Sequence, residues 1–298
     1  MSVVVTGATG QLGRLVVENL LQRGIPARDI TAAGRDTTKI KDLADRGVRV
    51  RAIDYDDPAT LDDAFRGAAR ILLISASEVG QRVRQHGNAI DAAVRAGTGL
   101  LAYTSIANAD TTTLRLAAEH QATEAALRAS GLDYVLLRHS WYLENYTAQI
   151  PAILQQGSLA GSAGDGRVSA ATRADYAAAA AAVLSSAVLS SAVLGSDGQA
   201  DGAGRVYELG GDQAFTLAEV AAEISAQAGQ PVSYRDLPVE EYTRLLVSVG
   251  LPEPAAEIIA DADGGLARGE LYVGGGQLRQ LIGRPTTTLH DAVAAALS

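Results

Sequence analysis

At 298 residues the chain is long enough to bury a substantial core, as one large domain or as two smaller ones sharing a cleft. Hydrophobic residues make up 47% and charged residues 20%, which excludes the disordered and fibrous classes. A formal charge of -9 repels phosphate backbones and argues against nucleic-acid partners, and the absence of cysteine rules out disulfides, thiolate metal sites and a cysteine nucleophile.

The chain opens directly into Ser2-Val3-Val4-Val5-Thr6-Gly7, with no basic segment ahead of a cleavable apolar run, and this predicts a cytoplasmic protein. Short β-branched runs then alternate with amphipathic stretches, the pattern of repeated βα units around a parallel sheet. Strands are expected over 3–6, 29–33, 48–53, 70–75, 99–105 and 133–138. Between the first two, Leu12, Leu15, Val16 and Leu20 fall at helical spacing, and Gly24 with Pro26 ends the helix. Further helices are expected around Leu43, over 58–65, near Ile90 to Val94 and near Leu116 to Leu127. The fold class is α/β, a doubly wound parallel Rossmann sheet of order 3-2-1-4-5-6, with a smaller C-terminal substrate-covering α/β region.

Beyond residue 140 the alternation weakens. A glycine-rich loop is expected over 157–166, an alanine-rich helix near 177–195, a strand near 206–209 and two further helical patterns, one around Tyr242 to Val249. The expected organisation is a dinucleotide-binding domain over 1–140, with returning elements from about 168–212, and a substrate-covering region over 141–298. Ser185, Ser186, Ser190 and Ser191 interrupt the alanine-rich stretch, which predicts a buried helix and no membrane span. Within it Ala182-Val183-Leu184-Ser185-Ser186 recurs as Ala187-Val188-Leu189-Ser190-Ser191 and partly as Ala192-Val193-Leu194. That period is too short for a solenoid and reads as a local duplication beside a surface loop.

The chemistry-bearing motif is Gly7-Ala8-Thr9-Gly10-Gln11-Leu12-Gly13, set between a strand and an amphipathic helix. In that context Gly7 permits the tight turn, Gly10 lets backbone approach a pyrophosphate, and Gly13 lets the helix pack on the strand. The helix start supplies unpaired N–H groups and a positive dipole end. Dinucleotide choice is made at the end of the second strand, which reads Ala33-Gly34-Arg35-Asp36. Arg35 stands where a 2′-phosphate is held, with Lys39 a turn further on, and points to NADPH; Asp36 facing a ribose is the competing reading. Asp54 and Tyr55 follow the third strand, where they would meet the adenine. Ser75, Ala76 and Ser77 follow the fourth, where small residues let backbone pass close to a cofactor.

Ketone-reducing short-chain dehydrogenases carry a Tyr-x-x-x-Lys pair on the helix after the fifth strand, because the product alkoxide is strongly basic. Here the only lysines are Lys39 and Lys41, and the corresponding helix carries Leu116 and His120. A quinone needs no such acid, since hydride addition gives a weakly basic hydroquinone anion that takes its proton from water. Trp141, Tyr142 and Tyr146, after the sixth strand, are flat rings able to stack on a quinone or a nicotinamide. His86, His120, His139 and His290 lack metal-ligand spacing, so no metal is expected. His120 stands in the place of the catalytic lysine and is the candidate catalytic residue, bonding the nicotinamide ribose.

Several longer segments carry a resemblance: Thr6 to Gly13, Leu72-Leu73-Ile74-Ser75-Ala76-Ser77-Glu78-Val79-Gly80-Gln81-Arg82, Tyr103-Thr104-Ser105, Leu137 to Tyr146, and Ala171-Thr172-Arg173-Ala174-Asp175-Tyr176. Together they resemble the bacterial NmrA-like NAD(P)H:quinone oxidoreductases of type 2, atypical short-chain dehydrogenase/reductases, over most of the chain up to about Asp212. The resemblance implies an NADPH site lined by Gly7 to Gly13, Arg35, Ser75 to Ser77 and the loop His139, Ser140, Trp141, Tyr142, Leu143 and Glu144. It implies a quinone stacked over the nicotinamide; the leading reading is direct two-electron hydride transfer from NADPH without flavin, with Tyr103, Asn145 and Tyr146 as candidate substrate contacts. His139-Ser140 stands where the family pattern has Asn-Gly, and the Ala-Val-Leu-Ser-Ser duplication is a second departure. NmrA-like proteins also include redox sensors that hold NADP without turnover, the alternative reading. Which quinone is used and the oligomeric state stay open.

Overall fold

The computed structural model describes residues 1–185 and 204–298. In chain order the strands are β1 (Val3–Val5), β2 (Ile30–Gly34), β3 (Arg49–Ala52), β4 (Arg70–Leu73), β5 (Leu100–Ile106), β6 (Tyr134–His139), β7 (Ser158–Gly161), β8 (Arg205–Leu209) and β9 (Ser233–Asp236). Seven of them form one sheet in the order β3-β2-β1-β4-β5-β6-β8. The six-strand order read from the sequence is thus present, extended at its edge by β8. Val3 pairs in parallel with Ile30 on one side and Arg70 on the other, so the strand order reverses at β1. That reversal opens a crevice at the carboxyl ends of β1 and β4, the place where doubly wound sheets take their ligands.

The chain divides into two compact units, one of Met1–Ser105, Glu119–Arg138 and Ala174–Tyr207, the other of Ile106–Ala118, His139–Arg173 and Glu208–Ser298. In the first, the alternation of a pleated strand puts Ile71 and Leu73 of β4 and Leu101 and Tyr103 of β5 on one face. There they pack with Leu61 and Phe65 of the helix Pro58–Phe65 and with Ala89 and Ile90 of the helix Arg82–Arg95. The helix Ala117–Ala129 is tied to the sheet by a buried ion pair. Arg138 Nη2 lies 2.6 Å and Nε 2.9 Å from the two carboxylate oxygens of Glu124, which also accepts from Ser105 Oγ at 2.6 Å.

The second unit has its own core around Leu143, Ile150, Val168, Phe215, Val220, Ile224 and Leu266. Its small sheet pairs β7 with β9 in parallel, Ser158 opposite Ser233. The glycine-rich segment 157–166 is therefore not all loop, as expected, because it contains β7. Leu159 is that strand's one large apolar residue, so no periodicity marks it, and its partner lies far along the chain. Where two helical patterns were expected after β8, the helices Leu217–Ala228, Val239–Ser248, Glu253–Ala267, Gln277–Ile282 and Leu289–Leu297 are present. The alanine-rich helix runs Arg173–Ser185; the rest of the 177–195 stretch and the repeats past Ser185 lie outside the described residues. No described helix is long and apolar enough to cross a membrane.

Candidate functional site

In the first unit, the turn after β1 is built by backbone. Gly7 sits at φ +60°, a conformation that favours glycine, and the N–H groups of Ala8 and Gly10 donate to Ala33 O and Gly7 O, both at 2.9 Å. A Cβ at Gly13 would stand 2.4 Å from Gly7 O and 2.8 Å from Ala8 Cα, so only glycine lets the helix Gln11–Gln22 start this close to the turn. That helix has no side-chain cap, and its first intrahelical donor is Arg14 N–H, to Gly10 O at 3.2 Å. The N–H groups of Gln11, Leu12 and Gly13 thus stand outside the helical ladder at the positive end of the dipole. Some helices fill such positions themselves, with Asp57 before Pro58–Phe65 and a Thr216/Glu219 capping box on Leu217–Ala228, whereas Arg82–Arg95 and Val239–Ser248 share the lack of a side-chain cap. The helix after β1 is left open to an anion.

Arg35 follows β2 and is exposed, with Nη1 2.5 Å from Glu78 Oε1. The Asp36 carboxylate accepts from Thr38 N–H at 3.2 Å and Thr38 Oγ1 at 2.5 Å, starting the turn Thr37–Ile40, and the Thr38 hydroxyl foremost holds its pKa below the usual value. One oxygen of the aspartate that competed for a ribose is therefore held locally by Thr38. Tyr55 Oη lies 2.6 Å from Thr6 Oγ1 and 3.0 Å from Ile74 O, so the hydroxyl ties the ends of β1 and β4.

The segment after β4 is held by buried side chains. Ser75 N–H donates to Thr104 Oγ1 at 2.9 Å, Ala76 N–H donates to His86 Nε2 at 2.9 Å, and Arg82 Nε donates to Ala76 O at 2.6 Å. Because His86 Nε2 accepts, its proton is on Nδ1, which faces Thr123 Oγ1 at 2.9 Å. Burial foremost, and then the charge of Arg82, push the His86 pKa down to about 3, so the ring is neutral. Arg82 Nη1 also approaches His120 Nε2 at 3.3 Å, and His120 Nδ1 lies 2.7 Å from Tyr103 Oη. Both nitrogens of His120 are thus engaged by protein, and the Tyr103 side chain has no exposed surface. His120, expected to bond a ligand directly, has its two ring nitrogens beside Arg82 and Tyr103. Tyr103, expected as a substrate contact, is buried with its hydroxyl against His120 Nδ1.

No site role was expected of Arg82, His86 or Thr123. The signal that could have found them is spacing: Arg82 and His86 stand one helical turn apart, as do His120 and Thr123.

The other expected residues belong to the second unit. Trp141 O accepts from Ala171 N–H and Ala171 O from Leu143 N–H, both at 3.0 Å, and Ser140 Oγ donates to Leu271 O at 2.6 Å. His139 Nδ1 lies 3.2 Å from Tyr142 Oη, and burial pushes its pKa down to about 3. Arg173 stacks 4.6 Å above the Tyr142 ring, its N–H donates to Glu144 Oε1 at 2.8 Å, and its Nη2 reaches Asn145 Oδ1 at 3.4 Å. Tyr146 is buried, and its hydroxyl finds no hydrogen-bond partner among the described residues. Its hydroxyl feels the charge of Asp263, whose pKa burial raises to about 7 even though it accepts from Ser162 N–H at 2.9 Å. Among the described residues no group of three or more His, Asp or Glu is placed to hold a metal ion.

A family described as NAD(P)H-binding matches residues 7–187. Quinone oxidoreductase 2 of Escherichia coli is 47% identical over 98% of this chain and 97% of its own length. The chain belongs to the NmrA-like NAD(P)H:quinone oxidoreductases of type 2. Solved structures agree with that family. The E. coli NADPH-dependent quinone oxidoreductase complexed with NADPH superposes with a TM-score of 0.91, at 46% identity, over 99% of this chain and 100% of that one. A Citrobacter triphenylmethane reductase complexed with NADP(H) gives 0.89 at 35% identity, over 99% and 100% of the two chains.

Proposed function

We propose that this protein reduces a quinone to the hydroquinone with a hydride from NADPH, in one two-electron step that uses no flavin or metal. The observation that carries the reading is the uncapped helix start at Gly10, with three backbone N–H groups aimed outward, in a chain nearly half identical to a quinone oxidoreductase. NADPH, when bound, supplies the hydride. The residues fit it: Gly7 to Gly13 hold the pyrophosphate on backbone N–H groups, and Arg35 takes the 2′-phosphate, since Asp36 is engaged with Thr38. Ser75 to Ser77 pass along the cofactor as a segment set in place by Arg82 and His86. We assign His120 and Tyr103 to positioning, because their polar atoms already bond one another.

No side chain of this set is poised to give a proton, and none is required, because the hydroquinone anion is stable enough to collect its proton from water. By the family resemblance, the loop His139 to Glu144 is assigned to the cofactor, and Asn145 and Tyr146 remain the acceptor candidates. Purified protein freed of flavin is expected to oxidise NADPH rapidly with benzoquinone or naphthoquinone and not with a simple ketone, followed by NADPH absorbance. NADPH binding without quinone-dependent oxidation above the uncatalysed rate would replace this reading by a cofactor-holding sensor.

A further inference from the structure

Glu78 has no place in the function described so far, yet it stands on the residue that selects the cofactor. One carboxylate oxygen lies 2.5 Å from Arg35 Nη1, and the other accepts from Gln85 Nε2 at 2.9 Å. Gln85 is buried at 3% exposure, so the carboxylate is fixed from beneath and aimed at a guanidinium in solvent. Gln85 also donates to Asp56 Oδ2 at 3.3 Å, and Asp56 is itself ion-paired with Arg84. We propose that Glu78 is a specificity-determining residue of the cofactor site, its carboxylate occupying Arg35 in competition with the 2′-phosphate of NADPH. The inference rests on the assignment of Arg35 to that phosphate.

The competition has a definite sign. A phosphate dianion arriving at Arg35 must displace Glu78 or lie beside it, and either event weakens binding of the phosphorylated cofactor. An unphosphorylated ribose carries no such charge, and its hydroxyl is a donor that a carboxylate accepts. Glu78 therefore narrows the preference for NADPH over NADH. Exposed ion pairs are weak, so the handicap is modest, about two- to tenfold in binding constant, and salt reduces it.

The test compares dissociation constants for NADPH and NADH in the whole protein, for wild type, Glu78→Gln, Arg35→Ala and the double variant, at low and high salt. Glu78→Gln keeps an acceptor for Gln85 and removes the charge together with the acceptor that meets Arg35. It is expected to tighten NADPH about fivefold at low salt, to leave NADH unchanged or weaker, and to lose the gain on the Arg35→Ala background. NADPH binding unchanged or weakened in Glu78→Gln, or both cofactors shifting together, overturns the proposal. Failure of the Arg35 assignment reads differently: Arg35→Ala would leave the NADPH constant of wild type unaltered.

Discussion

Gly10 and Gly13 sit in one turn but meet different surroundings, so substituting each by alanine separates folding from cofactor binding. At Gly13 the new Cβ would lie 2.4 Å from Gly7 O and 2.7 Å from Gly7 C. Both are backbone atoms that no rotamer change can move. Alanine gains about 1 kcal/mol of helix propensity there, but overpacking against fixed backbone at so close an approach lies at the upper end of the usual range, about 3 kcal/mol, so Gly13→Ala is expected to lose roughly 2 kcal/mol of stability. At Gly10 the backbone is extended, φ -94° and ψ 173°, which alanine adopts freely, and the nearest atom, Gly7 O, is 3.3 Å away. Gly10→Ala is expected to change stability by less than about 1 kcal/mol, the difference between the two residues at a helix cap. Its methyl group would project where backbone must approach the pyrophosphate, and NADPH affinity should fall at least about tenfold. Urea denaturation of the cofactor-free protein reads the first effect and NADPH titration the second. Unchanged NADPH binding by a well-folded Gly10→Ala protein would refute a pyrophosphate on this turn, and wild-type stability of Gly13→Ala would refute the close approach of helix to turn.

Asp263 makes stability depend on pH in an unusual direction. Its folded pKa is raised from 3.8 to about 7, so the folded state binds the extra proton between those values, and stability present below pH 3.8 is lost as pH rises towards 7. Asp263→Asn, which keeps an acceptor for Ser162 N–H, is expected to remove that decline and to stabilise the protein at pH 8 by up to the order of 4 kcal/mol, measured by thermal unfolding across pH. A parallel pair of pH profiles for variant and wild type would defeat the argument. Glu124→Ala leaves the 3% exposed Arg138 guanidinium without its bidentate partner and is expected to cost on the order of 3 kcal/mol in urea denaturation. A loss below about 1 kcal/mol would show that the pair does not hold the helix Ala117–Ala129 to β6.

What the sequence determined by itself was local and periodic. The glycine turn, the helix beginning at Gln11, the strands flanking it and the helix Pro58–Phe65 each follow from residues close together in the chain, so spacing and turn chemistry revealed them. The sheet order followed too, because handed βα crossovers leave few ways to arrange six such units. Arg35 was visible because it falls at a fixed distance beyond the turn. Only the tertiary structure decided how those residues are used. That Asp36 bonds Thr38, that Glu78 meets Arg35, and that both nitrogens of His120 are spent on Tyr103 and Arg82 are results of side-chain direction. β7 was hidden for a related reason: Ser158 to Gly161 carries almost no hydrophobic signal and becomes a strand through pairing with β9. Local preferences are written into neighbouring residues, whereas the partner of a buried polar group is fixed only when distant segments pack and exclude water.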